Sequence, residues 1–254
     1  MLFLIGLGLD VGDLSENAIN AIKKCDDVFI ERYTSFLPDS YDGYLARATG
    51  KAAKELERRD LEQLAKDIVS KAASRNIAVL VPGDPLLVTT HVTLLELAGK
   101  LGVAAKTIHA PSILSVAIGE SMLDVYKFGQ FANVPMWQKD YKPTAFINVV
   151  KENMQKGLHS LLFLDIDQEH HKPMALEACI ATMKAADETE HAGIFAKDPL
   201  VLVLGNVGRA SQRIALSRIS SAARLAPMFN EMPLSIIVLA DLSFYEEAVK
   251  KFLV

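Results

Sequence analysis

The sequence has few cysteines and no long apolar run. Its 254 residues include two cysteines, Cys25 and Cys179, which lie far apart and outside any CxxC pair. A disulfide framework is therefore excluded, and we expect two reduced, buried thiols in a cytoplasmic protein. No apolar run approaches the roughly 20 residues that span a bilayer. The apolar start at Met1 lacks the basic region and the cleavage site of a signal peptide, so we expect no membrane partner.

An excess of basic charge is also missing. Lysine and arginine number 27 against 31 aspartates and glutamates, the net charge is −4, and the sequence pI is about 5.9. Nucleic-acid surfaces work by neutralising many phosphates at once, so we expect no nucleic-acid partner. What the chain does have is 50% hydrophobic residues with 23% charged ones. This composition excludes a disordered chain, and the length allows one large domain or two smaller ones.

Short apolar runs alternate with amphipathic stretches along the chain. Near-continuous apolar runs bounded by turn-forming residues are typical of strands that are covered on both faces. Strands are predicted at Leu2–Ile5, Asp27–Ile30, Ile77–Val81, Ala105–Ile108, Ser160–Leu164, Leu200–Leu204 and Ser235–Ala240. Helices are predicted at Ser15–Lys24, Leu61–Ala73, Thr90–Leu101, Thr144–Lys156, Pro173–Ala186 and Ser211–Leu225, with Pro173 in a first helical turn. The alternation predicts the α/β class.

The best candidate for a domain boundary lies at His109–Ile113, where a strand ends, Pro111 interrupts the pattern and a new apolar pattern begins. We therefore predict an N-terminal α/β domain over residues 1–111 and a C-terminal α/β domain over residues 112–254. A cleft between two such lobes is the default place for a small-molecule site.

Turn-forming residues follow several of the predicted strands. The segments are IGLGLD from Ile5, VPGDPLLVTTH from Val81, APSI from Ala110, LLFLDI from Leu161 and LGNVGR from Leu204. Glycine lets a loop turn tightly and approach a ligand, and ligands bind outside the carboxyl ends of strands in open α/β folds. Each motif alone is explained by turn chemistry, but together they predict one composite cleft.

The glycines after the first strand raise one alternative, a dinucleotide site. A nicotinamide or flavin fingerprint requires GxGxxG, whereas Gly6 and Gly8 are followed by Gly12, one position too late. The acidic residue nearest to a ribose-binding position is Glu31. A nucleotide-binding oxidoreductase therefore remains an alternative interpretation of these turns.

Acidic residues and histidines cluster near residue 170. The members are Asp167, Glu169, His170 and His171. Adjacent side chains of one segment point apart, and no second pair of ligands lies four residues away. We interpret the segment as a solvated loop and expect no metal.

Taken together, six segments resemble the diphthine synthase family of the tetrapyrrole methylase superfamily: IGLGL, CDDVFIERYTS, PGDPLLVTTH, HAPSI, YKFG and KENMQKGLHSLLFLDI. The similarity extends over about residues 1–210, and its specific part is PGDPLLVTTH with HAPSI and GLHSLLFLDI at these spacings. The resemblance implies a homodimer of chains with two α/β domains and S-adenosylmethionine bound in the cleft between them. It also implies the substrate, elongation factor 2, whose 3-amino-3-carboxypropyl-histidine is methylated on its amino group to form diphthine.

The resemblance further implies cofactor contacts where this sequence matches the family motifs, at Leu9, Asp84, Leu87, Ser112, Ile113, Leu164, Val207 and Leu234. Val207 falls in a turn where the family has a small residue. Leu234 follows Pro233 at a position where similar sequences often have histidine, so a backbone contact is implied there. No catalytic residue is assigned, because water can take the proton of the acceptor amine.

An acceptor amine that gains methyl groups becomes a growing ammonium ion, which favours carboxylate or aromatic neighbours. The candidates in this sequence are Glu31, Tyr33, His91 and Tyr126. A structural role is equally open for each of them.

Departures from the family pattern cluster near the C-terminus. Ala240 and Asp241 replace a frequent Pro-Gly pair, and the chain ends at Val254, somewhat early for the family. They put the distal edge of the site in question more than the activity. Another methylase of the same superfamily, acting on a tetrapyrrole or an RNA, is the alternative within this class.

Overall fold

The chain divides into two units, Met1–Val116 and Ala117–Val254. The first unit contains a parallel sheet. The computed structural model describes residues 1–167, 170, 172–230 and 232–254. Both units combine helices with a five-stranded sheet, which confirms the predicted α/β class. The division falls a few residues after the boundary predicted between residues 111 and 112, and that finer boundary stays a prediction.

The strands of the first unit are β1 (Leu2–Gly6), β2 (Asp27–Glu31), β3 (Lys54–Leu56), β4 (Ile77–Val81) and β5 (Ala105–Ile108). They lie in the order β3-β2-β4-β1-β5, and every pairing is parallel, with Leu2 opposite Ile77 and Gly6 opposite Val81. Parallel pairing places the carboxyl ends of these strands at one edge of the sheet. The turns that follow β1, β4 and β5 are therefore neighbours.

Alternate residues of β4 enter different hydrophobic clusters. Ile77, Val79 and Val81 belong to one cluster, while Ala78 and Leu80 belong to another. All of them are fully buried. The strand is therefore covered on both faces, which confirms the prediction made from its unbroken apolar run.

The helices of the first unit are α1 (Glu16–Lys23), α2 (Tyr41–Thr49), α3 (Arg58–Glu62), α4 (Ala65–Lys71), α5 (Val92–Lys100) and α6 (Ile113–Glu120), the last of which extends past the division. Buried residues of α4 and α5 join the cluster on one face of the sheet, and those of α1 and α2 join the cluster on the other. Helix α1 begins as predicted, because the Ser15 side chain accepts a hydrogen bond from the Ala18 N–H.

The single helix predicted over Leu61–Ala73 is wrong, because α3 and α4 are separate helices. Helix α3 starts at a capping box formed by Glu57 and Asp60, ahead of the predicted range. Leu64, between the two helices, has φ −108° and ψ 9° and is 44% exposed. It therefore does not contribute to the apolar face on which the prediction rested.

The strands of the second unit are β6 (Ala132–Val134), β7 (Ser160–Leu164), β8 (Ile166–Asp167), β9 (Lys172–Pro173), β10 (Leu200–Gly205), β11 (Arg213–Arg218) and β12 (Leu234–Val238), and its longer helices are α7 (Ala145–Gln155) and α8 (Leu176–Thr189). The main sheet has the order β11-β10-β12-β7-β6, in which β6 and β7 are parallel and the other pairs antiparallel. Strands β8 and β9 form a separate pair. Short 3-10 helices lie at Val11–Asp13, Val125–Lys127, Phe195–Lys197, Ala222–Met228 and Phe244–Phe252.

The helix predicted over Ser211–Leu225 is wrong. The segment contains strand β11 and the start of the 3-10 helix Ala222–Met228. Its apolar residues fit a helical period, but the edge of β10 offers a partner, and β11 pairs with β10 along its whole length. A local sequence pattern cannot indicate that another part of the chain supplies a strand edge for pairing.

Pro173 does not lie in a first helical turn, as was predicted for a helix over Pro173–Ala186. It lies in β9, opposite Ile166, and α8 begins only at Leu176. The short hairpin of β8 and β9 gives this proline an extended partner strand, which the sequence did not indicate. Among the described residues, no helix is both long and apolar enough to cross a membrane.

Candidate functional site

The turns after β1 and β4 are joined to each other through two glycines. The Gly8 N–H donates to the Gly83 carbonyl at 3.2 Å, and the Gly83 N–H donates to the Gly8 carbonyl at 2.8 Å. Their φ angles are +74° and +70°, in the region that favours glycine. A Cβ on Gly8 would come within 2.0 Å of the Asp13 Cβ. The sequence predicted glycine-bearing turns at both places but not the bonds between them.

Gly83 leaves room for a Cβ beside Ser112, and we call this space the hollow. A Cβ built on it would meet nothing nearer than the Ser112 Cα at 3.8 Å and the Pro111 carbonyl at 4.0 Å. Gly6 shows the opposite, because a Cβ there would lie 2.7 Å from the Gly83 carbonyl oxygen. The loop after β4 thus packs closely against β1 while leaving room for one small group on the side of Ser112.

Asp84 fixes the loop that carries it. Its Oδ1 accepts the Leu86 N–H at 2.9 Å, and its Oδ2 accepts the Ala110 N–H at 3.3 Å and lies 2.8 Å from Nδ1 of His109. Asp84 is 3% exposed, whereas the His109 side chain is largely exposed. The carboxylate therefore ties the loop after β4 to the turn after β5 and does not present a free charge.

Leu9 lies in a turn that two aspartates hold in shape. The Asp13 Oδ2 accepts the N–H groups of Leu9 at 2.8 Å and of Asp10 at 3.0 Å, while the Asp10 Oδ1 accepts the Val11 N–H at 2.7 Å. The sequence placed Leu9 in a turn but did not identify the carboxylates that order it. Their signal was local, since a capping box of two acids three residues apart marks the start of a helical turn.

Ser112 and Ile113 lie at the start of α6. The Ser112 hydroxyl accepts the Ser115 N–H at 3.4 Å, and the Ser115 hydroxyl accepts the Ser112 N–H at 3.3 Å. Ser112 is buried. This reciprocal pair fixes the first turn of the helix directly after β5, beside the hollow at Gly83.

The loop after β4 also exposes apolar side chains. Leu87 and Val88 are both more than two-fifths exposed, at 42% and 44%. Val88 has φ of +60°, which a β-branched residue rarely adopts. The Thr89 hydroxyl donates to the Pro85 carbonyl at 3.0 Å and closes this turn. The exposed apolar surface suits the apolar part of a small ligand.

The structure thus brings the predicted site residues of the first unit to one edge of its sheet. They are Leu9, Asp84, Leu87, Ser112 and Ile113, and they follow β1, β4 and β5, which are neighbouring parallel strands. Because the carboxyl ends of parallel strands lie side by side, residues far apart in sequence meet there. Their contacts with a cofactor stay a prediction.

The second unit brings its own predicted site residues to one edge of its sheet. Leu164 ends β7, Val207 follows β10, and Leu234 begins β12. Strand β12 is antiparallel to both neighbours, and Leu234 lies opposite Gly205 at the end of β10. The start of β12 therefore lies beside the ends of β7 and β10. Val207 and Leu234 are buried, at 5% and 7% exposure.

Three of the candidate neighbours for an ammonium ion lie together in the first unit. Glu31 ends β2 and His91 precedes α5, and Nε2 of His91 lies 3.5 Å from the Tyr33 hydroxyl and 4.0 Å from Oε1 of Glu31. Burial raises the pKa of Glu31 to about 7 and lowers the pKa of His91 to about 4. The remaining candidate, Tyr126, belongs to the second unit and is 90% exposed.

A second buried pair of glutamate and histidine was missed by the sequence analysis. Oε1 of Glu246 lies 2.8 Å from Nε2 of His159, and Oε2 accepts from the Lys127 ammonium at 2.6 Å. Burial alone would raise the pKa of Glu246, but hydrogen bonds from Lys127, the Ser243 N–H, His159 and the Asp124 N–H hold it well below its ordinary range. The capping box of Ser243 and Glu246 is a local signal for a helical turn, but nothing local indicates the pair with His159 and Lys127, because these residues lie far away in sequence.

The segment near residue 170 lies partly outside the described residues. Nδ1 of His170 lies 2.8 Å from Oδ2 of Asp167, whereas Glu169 and His171 are not among the residues that the structure describes. Within the described ranges, no group of three or more potential ligands is arranged to hold a metal ion, and the expectation of no metal stays a prediction. Both cysteines are free and buried, as predicted.

Comparisons with known proteins agree on one family. Residues 1–223 match the family model described as Tetrapyrrole (Corrin/Porphyrin) Methylases. The chain is 33% identical to a diphthine synthase of Methanothermobacter thermautotrophicus, covering 97% of this chain and 92% of that protein. It is 31% identical to a diphthine methyl ester synthase of Aspergillus fumigatus, covering 89% and 84% respectively. A crystal structure of diphthine synthase matches with a TM-score of 0.88 and 31% identity, covering 100% of this chain and 96% of that one.

Proposed function

We propose, from the premise that this chain belongs to the diphthine synthase family of the tetrapyrrole methylases, that its methyl acceptor is the amino group of the 3-amino-3-carboxypropyl-histidine of elongation factor 2. Membership makes the chain an S-adenosylmethionine-dependent methyltransferase of diphthamide biosynthesis. The product of the proposed step is diphthine. This family excludes the alternative of a nucleotide-binding oxidoreductase, which the glycine spacing had left open.

The observation that carries the proposal is the meeting of the turns after β1, β4 and β5 around the hollow beside Gly83. The hollow is bordered by Ser112, and the turns around it are fixed by the Asp84 carboxylate and by the paired backbones of Gly8 and Gly83. A side chain on Gly83 would occupy this space. The residues around it offer apolar surface and backbone groups, which fit the adenosyl and methionyl parts of the cofactor.

We assign the holding of the cofactor in the first unit to Leu9, Asp84, Leu87, Ser112 and Ile113. The second unit would contribute Leu164, Val207 and Leu234. Asp84 acts by shaping the loop, since its carboxylate is already engaged with backbone N–H groups. Leu234 has no polar side-chain group, so its contribution is an apolar or backbone contact.

S-adenosylmethionine, when bound, supplies a methyl group on a positively charged sulfonium. An amine in line with the S–C bond attacks the methyl carbon, and the sulfur leaves as a neutral thioether. The protein has to hold the acceptor nitrogen in that line and keep water out. Loops tied by Asp13 and Asp84 are suited to this, because their backbone is fixed before any ligand arrives. The acceptor must be neutral to attack, and water takes its proton.

A homodimer in the cytoplasm is part of the proposal and rests on the resemblance of the motifs to the family. Light scattering on the purified protein tests the dimer directly. A mass of one chain at micromolar concentration would contradict it, and a mass of two chains would support it.

The test of the acceptor is a mass spectrum of elongation factor 2. Purified enzyme is incubated with S-adenosylmethionine and with elongation factor 2 that carries the precursor side chain, and the modified peptide is fragmented. We expect methyl groups on the amino nitrogen of the modified histidine only. Transfer to a porphyrin-like compound without transfer to elongation factor 2 would overturn the proposal.

The acceptor carboxylate is a second candidate position for a methyl group, because two fungal relatives at 31% identity are named diphthine methyl ester synthase. Mild alkali hydrolyses a methyl ester but leaves a methylated amine intact. A mass that falls after alkali treatment identifies an ester, whereas an unchanged mass places every methyl group on nitrogen. We expect the second result.

A further inference from the structure

Glu31 is a buried carboxylate without a cation. It is 0% exposed, and its oxygens accept hydrogen bonds from the Thr34 N–H at 3.1 Å and from the Thr34 hydroxyl. The neighbouring Arg32 does not compensate it, because its guanidinium pairs with Asp42 and with Glu55. Among the described residues, no lysine or arginine forms an ion pair with Glu31.

His91 is equally unusual for a buried residue. It is 2% exposed, and its Nδ1 has no hydrogen-bond partner among the described residues. Nε2 faces the Tyr33 hydroxyl and the Glu31 carboxylate, which favours the tautomer with its proton on Nε2. A lone pair on Nδ1 then lacks a donor, and burial keeps the ring neutral by lowering its pKa to about 4.

The second unit shows how this fold satisfies a glutamate and a histidine that serve structure alone. Glu246 accepts hydrogen bonds from four donors, including the Lys127 ammonium. The Ala240 N–H donates to Nδ1 of His159, whose Nε2 therefore donates to Glu246. Every polar atom of that pair has a partner, which is the rule for buried polar groups.

Compared with the pair of Glu246 and His159, the pair of Glu31 and His91 lowers the stability of the fold. A buried charge without a counter-charge and a buried nitrogen without a donor are both unfavourable. Groups that a fold retains at such a cost are common where binding or catalysis needs them. The two residues therefore point to a ligand that is cationic and carries N–H groups.

Their position places that ligand next to the hollow. Glu31 ends β2, which is adjacent to β4 in the sheet, and the loop after β4 runs from Asp84 to His91. The Thr89 hydroxyl donates to the Pro85 carbonyl and accepts the His91 N–H at 3.3 Å. The same short loop therefore shapes the hollow at one end and holds His91 at the other.

We propose that Glu31, Tyr33 and His91 form the subsite for the ammonium group of the methyl acceptor, an alkylammonium ion that the Glu31 carboxylate and the Tyr33 ring recognise. The inference rests on the proposed function of an amine methyltransferase. Tyr33 and His91 have ring centroids 6.4 Å apart at an angle of 50°, and the Glu31 carboxylate lies beside the His91 ring. Aromatic rings with a carboxylate suit methylated ammonium ions.

Tyr33 controls entry to this subsite. It is the member of the three that keeps exposed surface, and it lies in the segment between β2 and α2 that has no helix or strand. The ammonium group reaches Glu31 when the Tyr33 ring moves aside and then packs on the ion.

The consequence for the reaction concerns the later methyl groups. Before each transfer the acceptor ammonium gives one proton to water; the neutral amine then forms an N–C bond as the S–C bond breaks, the sulfur leaves as a neutral thioether, and positive charge returns to the acceptor nitrogen. Glu31 stabilises that charge and holds the partly methylated ammonium in the site until it loses a further proton to water for the next round. Without the carboxylate, partly methylated product should be released.

The decisive variant is Glu31→Gln, which keeps the shape of the side chain and removes its charge. We expect KM for elongation factor 2 to rise about tenfold or more, and mono- and dimethylated products to accumulate at equal turnover. The dissociation constant for S-adenosylhomocysteine should stay unchanged. Glu55→Gln, on the neighbouring strand, is the matched control and should leave all of these values as in the unmodified enzyme.

A stability measurement separates this role from a structural one. Glu31→Gln removes an uncompensated buried charge, so its melting temperature at pH 8 should equal or exceed that of the unmodified enzyme, whereas Glu246→Gln should melt lower. Tyr33→Phe should retain most of the activity because it keeps the ring, and Tyr33→Leu should resemble Glu31→Gln.

The outcomes separate the two proposals. If the unmodified enzyme transfers no methyl group to elongation factor 2, the proposed function is wrong, whatever the variants do. If it does transfer, but Glu31→Gln has an unchanged KM and an unchanged product distribution, the ammonium subsite alone is overturned. A Glu31→Gln protein that melts well below the unmodified enzyme would also overturn it, because Glu31 would then serve the fold.

Discussion

Gly8 and Gly83 each donate a backbone hydrogen bond to the other, which ties together the turns after two neighbouring strands. The pair fixes the distance between the turn that carries Leu9 and the loop that carries Asp84. Neither glycine can be replaced freely, since both have positive φ. The two sites nevertheless differ, because a Cβ on Gly83 would meet Ser112 at an ordinary contact distance, whereas a Cβ on Gly8 would clash with Asp13.

Gly83→Val should abolish binding of S-adenosylhomocysteine while leaving a folded protein. The new side chain would fill the hollow toward Ser112, and its positive φ of +70° would strain the loop. Calorimetry with S-adenosylhomocysteine measures the affinity, and circular dichroism checks folding. Gly99→Ala is the control, because no atom lies within 4 Å of a Cβ at that position in α5. Unchanged affinity in Gly83→Val would show that the loop has a structural role only.

Gly129→Ala should lower the free energy of unfolding by about 2 kcal/mol. A Cβ there would lie 2.1 Å from Oδ1 of Asn153, a buried side chain that bonds the backbone of Gln130 in both directions. Urea denaturation of the variant measures the loss. Gly119→Ala, at an uncrowded position in α6, should be neutral or stabilising, and equal losses in both variants would contradict the argument.

The pKa of Glu246 is depressed in the folded state, so its contribution to stability is present above its ordinary value of 4.5 and is lost as the pH falls below it. At pH 7 we expect Glu246→Gln to lower the free energy of unfolding by about 3 kcal/mol, the usual cost of breaking a buried ion pair. The difference between the two proteins should shrink between pH 4.5 and pH 3. Urea denaturation across this range measures it, and a difference independent of pH would contradict the assignment.

The pKa of Glu31 is shifted in the opposite direction from that of Glu246. The pKa of Glu31 is raised to about 7 in the folded state. Between pH 4.5 and 7 the folded protein therefore keeps a proton on Glu31 that the unfolded chain has lost. The free energy of unfolding falls as the pH rises through this window. Glu31→Gln removes the titrating group and should be more stable than the unmodified protein above pH 7, by up to about 3 kcal/mol. The gain should vanish near pH 4. Thermal melts at pH 4, 6 and 8 check this, and a gain that grows toward low pH would refute it.

Most of the first unit's site could be predicted from the sequence because its signals are local. Unbroken apolar runs such as Ile77–Val81 mark buried strands, and glycine, proline and aspartate after them mark turns. Parallel pairing then brings such turns together without further information. The helix predicted to begin at Ser15 was likewise found from neighbouring residues alone, and the Ser15 side chain caps it.

The sequence by itself thus determined the α/β class, the strands of the sheets' buried centres and the turns that line the proposed cofactor site. Only the tertiary structure decided that Ser211–Leu225 contains a strand, because the edge of β10 is not visible in that segment. Only the tertiary structure also showed which glutamate and which histidine become partners in each of the two buried pairs. Glu246 meets Lys127 and His159 across separations of 119 and 87 residues, and Glu31 meets His91 across the sheet. Such contacts produce no periodic pattern in the sequence, because the partners become neighbours only when the chain has folded.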